Sequence, residues 1–336
     1  MPDSSLVALV LIVALAIGFG LVNGFNDAAN AIATVVGTRV LSPRKAIVLA
    51  AVANLAGALT GLEVAKTIGT GILIPEAISN ITIIAALASI IIWGSVATYL
   101  GLPVSLTHGF VAGLAAAGIA SPVSQAVIWS KIGLVGSSVA IAPVLGFTGG
   151  FTLMITLLWL FRQMSPDRMR VVFGRLQWLT AAFMAYSHGK NDGQMPIGVI
   201  TMGVVVYSGN TELWNNVPFW IIIVSALAIS TGTAVGGWRV IKTLGMNVTT
   251  LRPVHGFAAS ASAATVIEVA SHFGIPVSTT HCTSAAIMGV GATKRLSAVR
   301  WGVAGNIVTA WILTFPICGV LGYLFAKLLF LIFGSG

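Results

Sequence analysis

Gly24-Phe25-Asn26-Asp27 and Gly189-Lys190-Asn191-Asp192 are one phrase written twice, 165 positions apart, and each copy has the same companion. Leu102-Pro103-Val104-Ser105-Leu106-Thr107-His108 returns 173 positions later as Ile275-Pro276-Val277-Ser278-Thr279-Thr280-His281. Two polar motifs in the same order in each half mark a duplicated unit of about half the 336 residues. The surrounding sequence decides what is duplicated. Hydrophobic residues make up 57% and charged residues 7% of the chain, with a mean hydropathy of +0.99. Ordinary soluble domains carry roughly a quarter charged residues. Apolar runs such as 6–22, 46–62, 81–100 and 219–236 are long enough to cross about 30 Å of hydrocarbon. The pattern specifies an all-α polytopic membrane protein. In such a protein, a polar motif present in both halves points to a transport site rather than to an enzyme.

The net charge of +9 would suggest nucleic acid in a soluble chain, but here it follows from basic cytoplasmic loops, and no nucleic-acid partner is expected. Thirteen of the 17 Lys and Arg fall in four clusters: Arg39/Arg44/Lys45, Arg162/Arg168/Arg170/Arg175, Arg239/Lys242/Arg252 and Lys294/Arg295/Arg300. The stretches 63–80 and 208–216 have a slight negative excess. Placing the basic clusters in the cytoplasm puts both termini outside and sets corresponding loops of the two halves on opposite sides. That arrangement is an inverted-topology repeat. It comprises 1–161, a cytoplasmic basic connecting loop at 162–177, and 178–336. About ten to twelve segments are expected, because 129–161 and 301–334 exceed one crossing and contain Pro143 and Pro316. Asp3 stands where a signal peptide would be basic, so 6–22 reads as a retained membrane segment. Cys282 and Cys318 lack metal-ligand spacing and read as buried thiols.

Asp27 and Asp192 are carboxylates in apolar surroundings, where each needs a partner, water or a proton. The neighbouring glycine and Asn26 or Asn191 favour irregular backbone. A helix break there would expose carbonyl oxygens that, with the side-chain oxygens, suit Na⁺, or the carboxylate could carry H⁺. The plainer reading is a structural helix break capped by its own Asp. The Pro-Val-Ser motifs read as helix beginnings with Pro in the first turn. Unpaired N–H groups and the helix dipole, with Ser105, Thr107, Ser278, Thr279 and Thr280, would hold an oxyanion there. The segments to Gly118 and Gly291 are short enough to be re-entrant half-helices; ordinary caps at the membrane surface are the alternative. His108 and His281, at equivalent places, suit gating or proton handling, or simple packing. His188 could touch the site. Lys190, opposite Phe25, would neutralise Asp192 or help bind an anion, unless it snorkels to the interface. Glu268 is a second intramembrane acid, either functional or a contact between helices.

On these residues the chain resembles the inorganic phosphate transporter family of secondary carriers. The matching stretches are Asn26-Asp27-Ala28-Ala29-Asn30-Ala31, Ser187-His188-Gly189-Lys190-Asn191-Asp192 and Pro276-Val277-Ser278-Thr279-Thr280-His281. The resemblance covers nearly the whole chain. It implies phosphate symport with Na⁺ or H⁺, an inverted-repeat fold in the cell membrane and a homodimer. It also implies that the Asn-Asp pairs serve cation and substrate and that the hydroxyl-rich starts hold phosphate. Some members look like sulfate carriers. Against the family pattern, this chain has Asn54 and Ser260 where Glu is usual, Lys190 where a small or apolar residue is usual, and Met195 where Asn is usual. A less negative site would tilt coupling toward H⁺ or an altered stoichiometry. The remaining alternatives are a sulfate permease, an intramembrane aspartyl protease using Asp27 and Asp192, and a passive channel.

Overall fold

Apolar helices of this length satisfy their own backbone, so the fold is a question of how they pack and where they break. The computed structural model describes residues 5–334. Residues 1–4 and 335–336, including Asp3 and the two ends expected outside, lie beyond the described residues. Thirteen α-helices are described. The first half holds α1 (Leu6–Gly37), α2 (Pro43–Ala58), α3 (Glu63–Gly71), α4 (Asn80–Leu100), α5 (Leu106–Ala120) and α6 (Trp129–Leu160). The second holds α7 (Pro166–Asp192), α8 (Gln194–Ser208), α9 (Phe219–Val235), α10 (Trp238–Lys242), α11 (Pro253–His272), α12 (Thr279–Ala292) and α13 (Trp301–Phe333). A π-helical turn, Thr243–Asn247, continues α10. The α2–α3 pair bends by 67° and the α9–α10 pair by 63°. Among the described residues, α1, α4, α6 and α13 are each long and apolar enough to cross a membrane, and so is each bent pair taken as one span.

Four expectations about local structure change. The α1 helix runs unbroken through Gly24–Asp27, whereas the second copy does break, at Gly193 between α7 and α8. Helices α6 and α13 are each continuous across Pro143 and Pro316, because neighbouring helices in a membrane can re-satisfy a freed carbonyl. The basic stretch 162–177 is mostly helix, since Pro166 opens α7 at a position where its missing N–H costs nothing. The acidic stretch 63–80 contains α3, whose Val64, Ala65 and Ile68 are buried against α8.

The halves exchange partners. Helix α1 packs on α9 while α7 packs on α2, and α5 packs on α13 while α12 packs on α6. The motif glycines permit the first exchange. A Cβ on Gly24 would strike the Ile229 carbonyl and stand 2.7 Å from the Thr233 nitrogen, and one on Gly189 would strike the Asn54 carbonyl. Gly24→Ala should therefore push α1 off α9 and destabilise by about 1–3 kcal/mol. Gly133→Ala, with no neighbour within 4 Å, should leave thermal unfolding of the detergent-solubilised protein unchanged.

The turns are exchanged too. Gly101 (φ 74°) and Gly274 (φ 65°) end α4 and α11 in the left-handed region that favours glycine. Thr67 of α3 donates its hydroxyl to the Gly274 carbonyl at 2.8 Å, and Thr243 after α10 donates to the Gly101 carbonyl at 2.9 Å. Each bent pair thus clasps the turn leading into the other half's short helix. Basic residues gather at one end of the molecule: Arg170, Arg252 and Lys294 line one cavity, and Lys294, Arg295 and Arg300 the next. Glu76 and Thr211 share a cavity at the end that carries 63–80 and 208–216. Helix α13 is the least buried of the four long apolar helices, while α12 is buried along its whole length.

Candidate functional site

Helices α5 and α12 begin deep inside the protein. Ser105 and Ser278 are their N-caps, with side chains accepting from the His108 and His281 amides at 3.3 and 3.1 Å. Pro103 and Pro276 precede the caps rather than occupying the first turn as expected, and they keep the approach to each cap extended. Ser105, Thr107, Ser278, Thr279 and Thr280 are all buried, which excludes ordinary caps at the membrane surface. The two starts adjoin: the His108 and His281 rings are 5.1 Å apart, and the Thr280 hydroxyl lies 3.1 Å from the Val104 carbonyl. Each start therefore presents first-turn amides that have no partner within its helix.

The Asn-Asp motifs come to the same place. Thr280 Oγ1 donates to Asp27 Oδ1 at 2.7 Å, and Thr279 Oγ1 donates to Asp192 Oδ2 at 3.0 Å. Asn191 Nδ2 donates to Asp192 Oδ1 at 2.5 Å and to the Val277 carbonyl at 2.9 Å, fixing the strand of backbone before α12. Asn26 does the related work in the first half, donating to Thr98 Oγ1 at 2.5 Å and facing the Leu102 carbonyl at 3.5 Å. Both hydroxyls that reach carboxylates come from the second half. The site is built from a duplication but is not symmetric.

His188 joins the carboxylates. Its Nε2 lies 3.1 Å from Asp192 Oδ2 and 3.9 Å from Asp27 Oδ2, with all three side chains buried. On its other side, Nδ1 lies 2.9 Å from Asn54 Oδ1. The Asn54 amide is oriented by its Nδ2 donating at 2.7 Å to Thr233 Oγ1, whose own proton goes to the Ile229 carbonyl. The chain of donors places a proton on His188 Nδ1 and turns Nε2 toward the two carboxylates. Asp27, Asp192 and His188 form one buried cluster. Its three ligand atoms lie within 4.8 Å of one another, close enough to surround a cation.

Other residues named from the sequence lie apart from this cluster. Lys190 pairs with Glu268, not with Asp192, because residues two apart on a helix point to opposite sides. The pair stands toward the acidic end, near Glu63 and Gly61. Lys190→Gln, Glu268→Gln and the double variant should each change solute uptake by about fivefold at most, the range for a partly exposed ion pair. His108 and His281 meet one another behind the helix starts; His108 Nε2 is 3.0 Å from Ser138 Oγ, and His281 stacks on Trp311 at 4.2 Å.

Four buried polar residues were not singled out as site residues. Asn30 Nδ2 donates to Asp27 Oδ1 at 3.0 Å and Thr280 Oγ1 at 2.9 Å, and its place one helical turn beyond Asp27 was a readable signal. Met195, three residues after Asp192, is the apolar counterpart that cannot do this. Gln194 Oε1 accepts from the Val64 and Ala65 amides at 2.8 and 3.1 Å, capping α3 from another helix, and no local pattern announces it. Asn54 and Ser260, which stand where the resemblance led us to expect Glu, are both fully buried. Asn54 holds His188, and Ser260 shares a 2.7 Å hydrogen bond with Thr34.

Known proteins share this architecture. A family model described as "Phosphate transporter family" matches residues 23–170 and 162–322. A Rhizobium meliloti (strain 1021) protein named "Probable low-affinity inorganic phosphate transporter" is 40% identical over 94% of this chain and 95% of its own. A protein of the same name from Bacillus subtilis (strain 168) is 38% identical over 98% of this chain and 100% of its own. A solved structure titled "The sodium-dependent phosphate transporter" superposes with a TM-score of 0.90 at 27% identity, over 97% of this chain and 100% of that one.

Proposed function

The chain belongs to the phosphate transporter family, and from that premise we propose that it moves inorganic phosphate inward by symport with Na⁺. It is an integral membrane transporter and not an enzyme. The observation that carries the proposal is the pair of hydrogen bonds that Thr279 and Thr280 donate to Asp192 and Asp27 at the start of α12. A carboxylate beside a phosphate repels it strongly in a medium of low dielectric constant. Na⁺ held by Asp27, Asp192 and the oxygens of Asn26, Asn30 and Asn191 would remove that repulsion. It would also free the two threonine hydroxyls to donate to the anion, together with the first-turn amides of α5 and α12. Cation and anion thus compete for nothing and each prepares the place of the other. The sodium dependence of the similar structure supports Na⁺ as the ion.

Two inverted halves, with the basic end cytoplasmic, would let the site face either side in turn. The clasps of Thr67 on Gly274 and Thr243 on Gly101 tie each bent pair to the turn before the other half's short helix. A homodimer is part of the same reading. Proton coupling is the second reading, favoured by the imidazole between the two carboxylates. Uptake of labelled phosphate into proteoliposomes separates them. An inward Na⁺ gradient at equal pH should drive accumulation, with sulfate in excess competing weakly. Accumulation only under a pH gradient selects H⁺, and saturable sulfate uptake without phosphate uptake rejects phosphate as substrate.

A further inference from the structure

The turn between α12 and α13 repeats the turn between α5 and α6, but its chemistry differs. The first-half turn borders an open groove of about 370 Å³ lined by Ser121, Ser124, Gln125 and apolar neighbours, with no ionisable side chain. The second-half cavity, about 540 Å³, is lined by Thr249, Thr250, Lys294, Arg295 and Arg300 and by no carboxylate. The corresponding first-half turn is built without a basic residue. The basic groups are also positioned. Arg300 Nη1 donates to the Met246 and Asn247 carbonyls at 3.3 and 3.2 Å, and Lys294 Nζ donates to the Thr250 carbonyl at 2.7 Å.

Lys294 is shared with a neighbouring cavity lined by Arg170 and Arg252, where the one carboxylate, Asp167, lies 3.5 Å from Arg170. Partial burial and the nearby Arg252 guanidinium hold the Lys294 ammonium below its ordinary pKa, as expected of a cation without a counter-charge. Beside the pocket, exposed Trp301 opens lipid-facing α13 and donates its indole N–H to the Leu296 carbonyl at 2.8 Å. An exposed tryptophan next to basic side chains marks headgroup depth.

We propose that the pocket of Thr249, Thr250, Lys294, Arg295 and Arg300 is a second site for a phosphate group, carried by an anionic phospholipid or free in solution. Guanidinium and ammonium donors with two threonines suit that tetrahedral anion, and the pocket lies past the far end of α12 from the transport site.

Two arms of one experiment on the full chain separate the sources. In native mass spectrometry from bilayers of phosphatidylglycerol and phosphatidylcholine, the wild type should retain phosphatidylglycerol about tenfold over phosphatidylcholine. Lys294→Gln/Arg295→Gln should lose the preference, and Lys294→Arg/Arg295→Lys should keep it, which separates lost charge from lost fold. For free phosphate, calorimetric titration of inorganic phosphate into Asp27→Asn should show saturable binding that the Gln pair removes. Either result sustains the site and names its source. No lipid preference together with no such phosphate binding overturns it, whatever uptake assays say about transport.

Discussion

Asp27→Asn should abolish phosphate uptake, lowering the initial rate in proteoliposomes by about 100-fold or more, and Asp192→Asn should do the same. The substitution keeps the shape of the side chain and removes the negative charge. Asp27 accepts hydrogen bonds from Asn30 and Thr280, and its other oxygen faces His188. Removing one partner from a buried set of charged groups costs about 3–5 kcal/mol, which is between two and four decades in an equilibrium constant. If Asp27 merely capped structure, Asp27→Asn would lower thermal stability and leave uptake per folded molecule intact. Measuring uptake against the amount of folded protein in the same vesicles distinguishes the two.

Thr280→Val should raise the phosphate KM by about 10- to 100-fold, the worth of a hydrogen bond to a charged group. Valine keeps the β-branched shape at the start of α12 and deletes the hydroxyl that reaches Asp27 and the Val104 carbonyl. Thr107→Val is the internal comparison. Thr107 occupies the equivalent place on α5 and is buried, but its hydroxyl makes no hydrogen bond to either carboxylate among the described residues. Its effect should be smaller by at least a decade. Equal effects would mean that the two helix starts contribute alike and that the asymmetry of the site has no consequence for binding.

Membrane architecture and duplication were legible because both are written in local composition and repeated words. The meeting of Asp27 with Asp192 was foreshadowed by that repetition. Its geometry was not, because α1 and α7 are brought together by pairing each with the other half's bent helices, and no spacing within one half encodes that. Gly24 illustrates the limit. Its residue type signals either a flexible backbone or a close approach, and only the position of the Ile229 carbonyl decides for the second. Lys190 shows an avoidable error: helical geometry alone places it away from Asp192, where Glu268 receives it. His188 was closer to hand, since it lies four residues before Asp192 and hence on the same face of α7. Asn54 was out of reach, because α2 meets α7 only through the fold.

The central claim is that one buried site holds cation and phosphate side by side, the cation on the carboxylates releasing the donors at the start of α12 to the phosphate. A structure determined in the presence of Na⁺ and phosphate tests it most directly. The account predicts tetrahedral density within hydrogen-bonding reach of Thr279 and Thr280 and of the first-turn amides of α5. Cation density should then lie on Asp27 and Asp192, with the threonine hydroxyls turned from the carboxylates to the anion. Phosphate bound elsewhere, with Thr279 still on Asp192 and Thr280 still on Asp27, would contradict it.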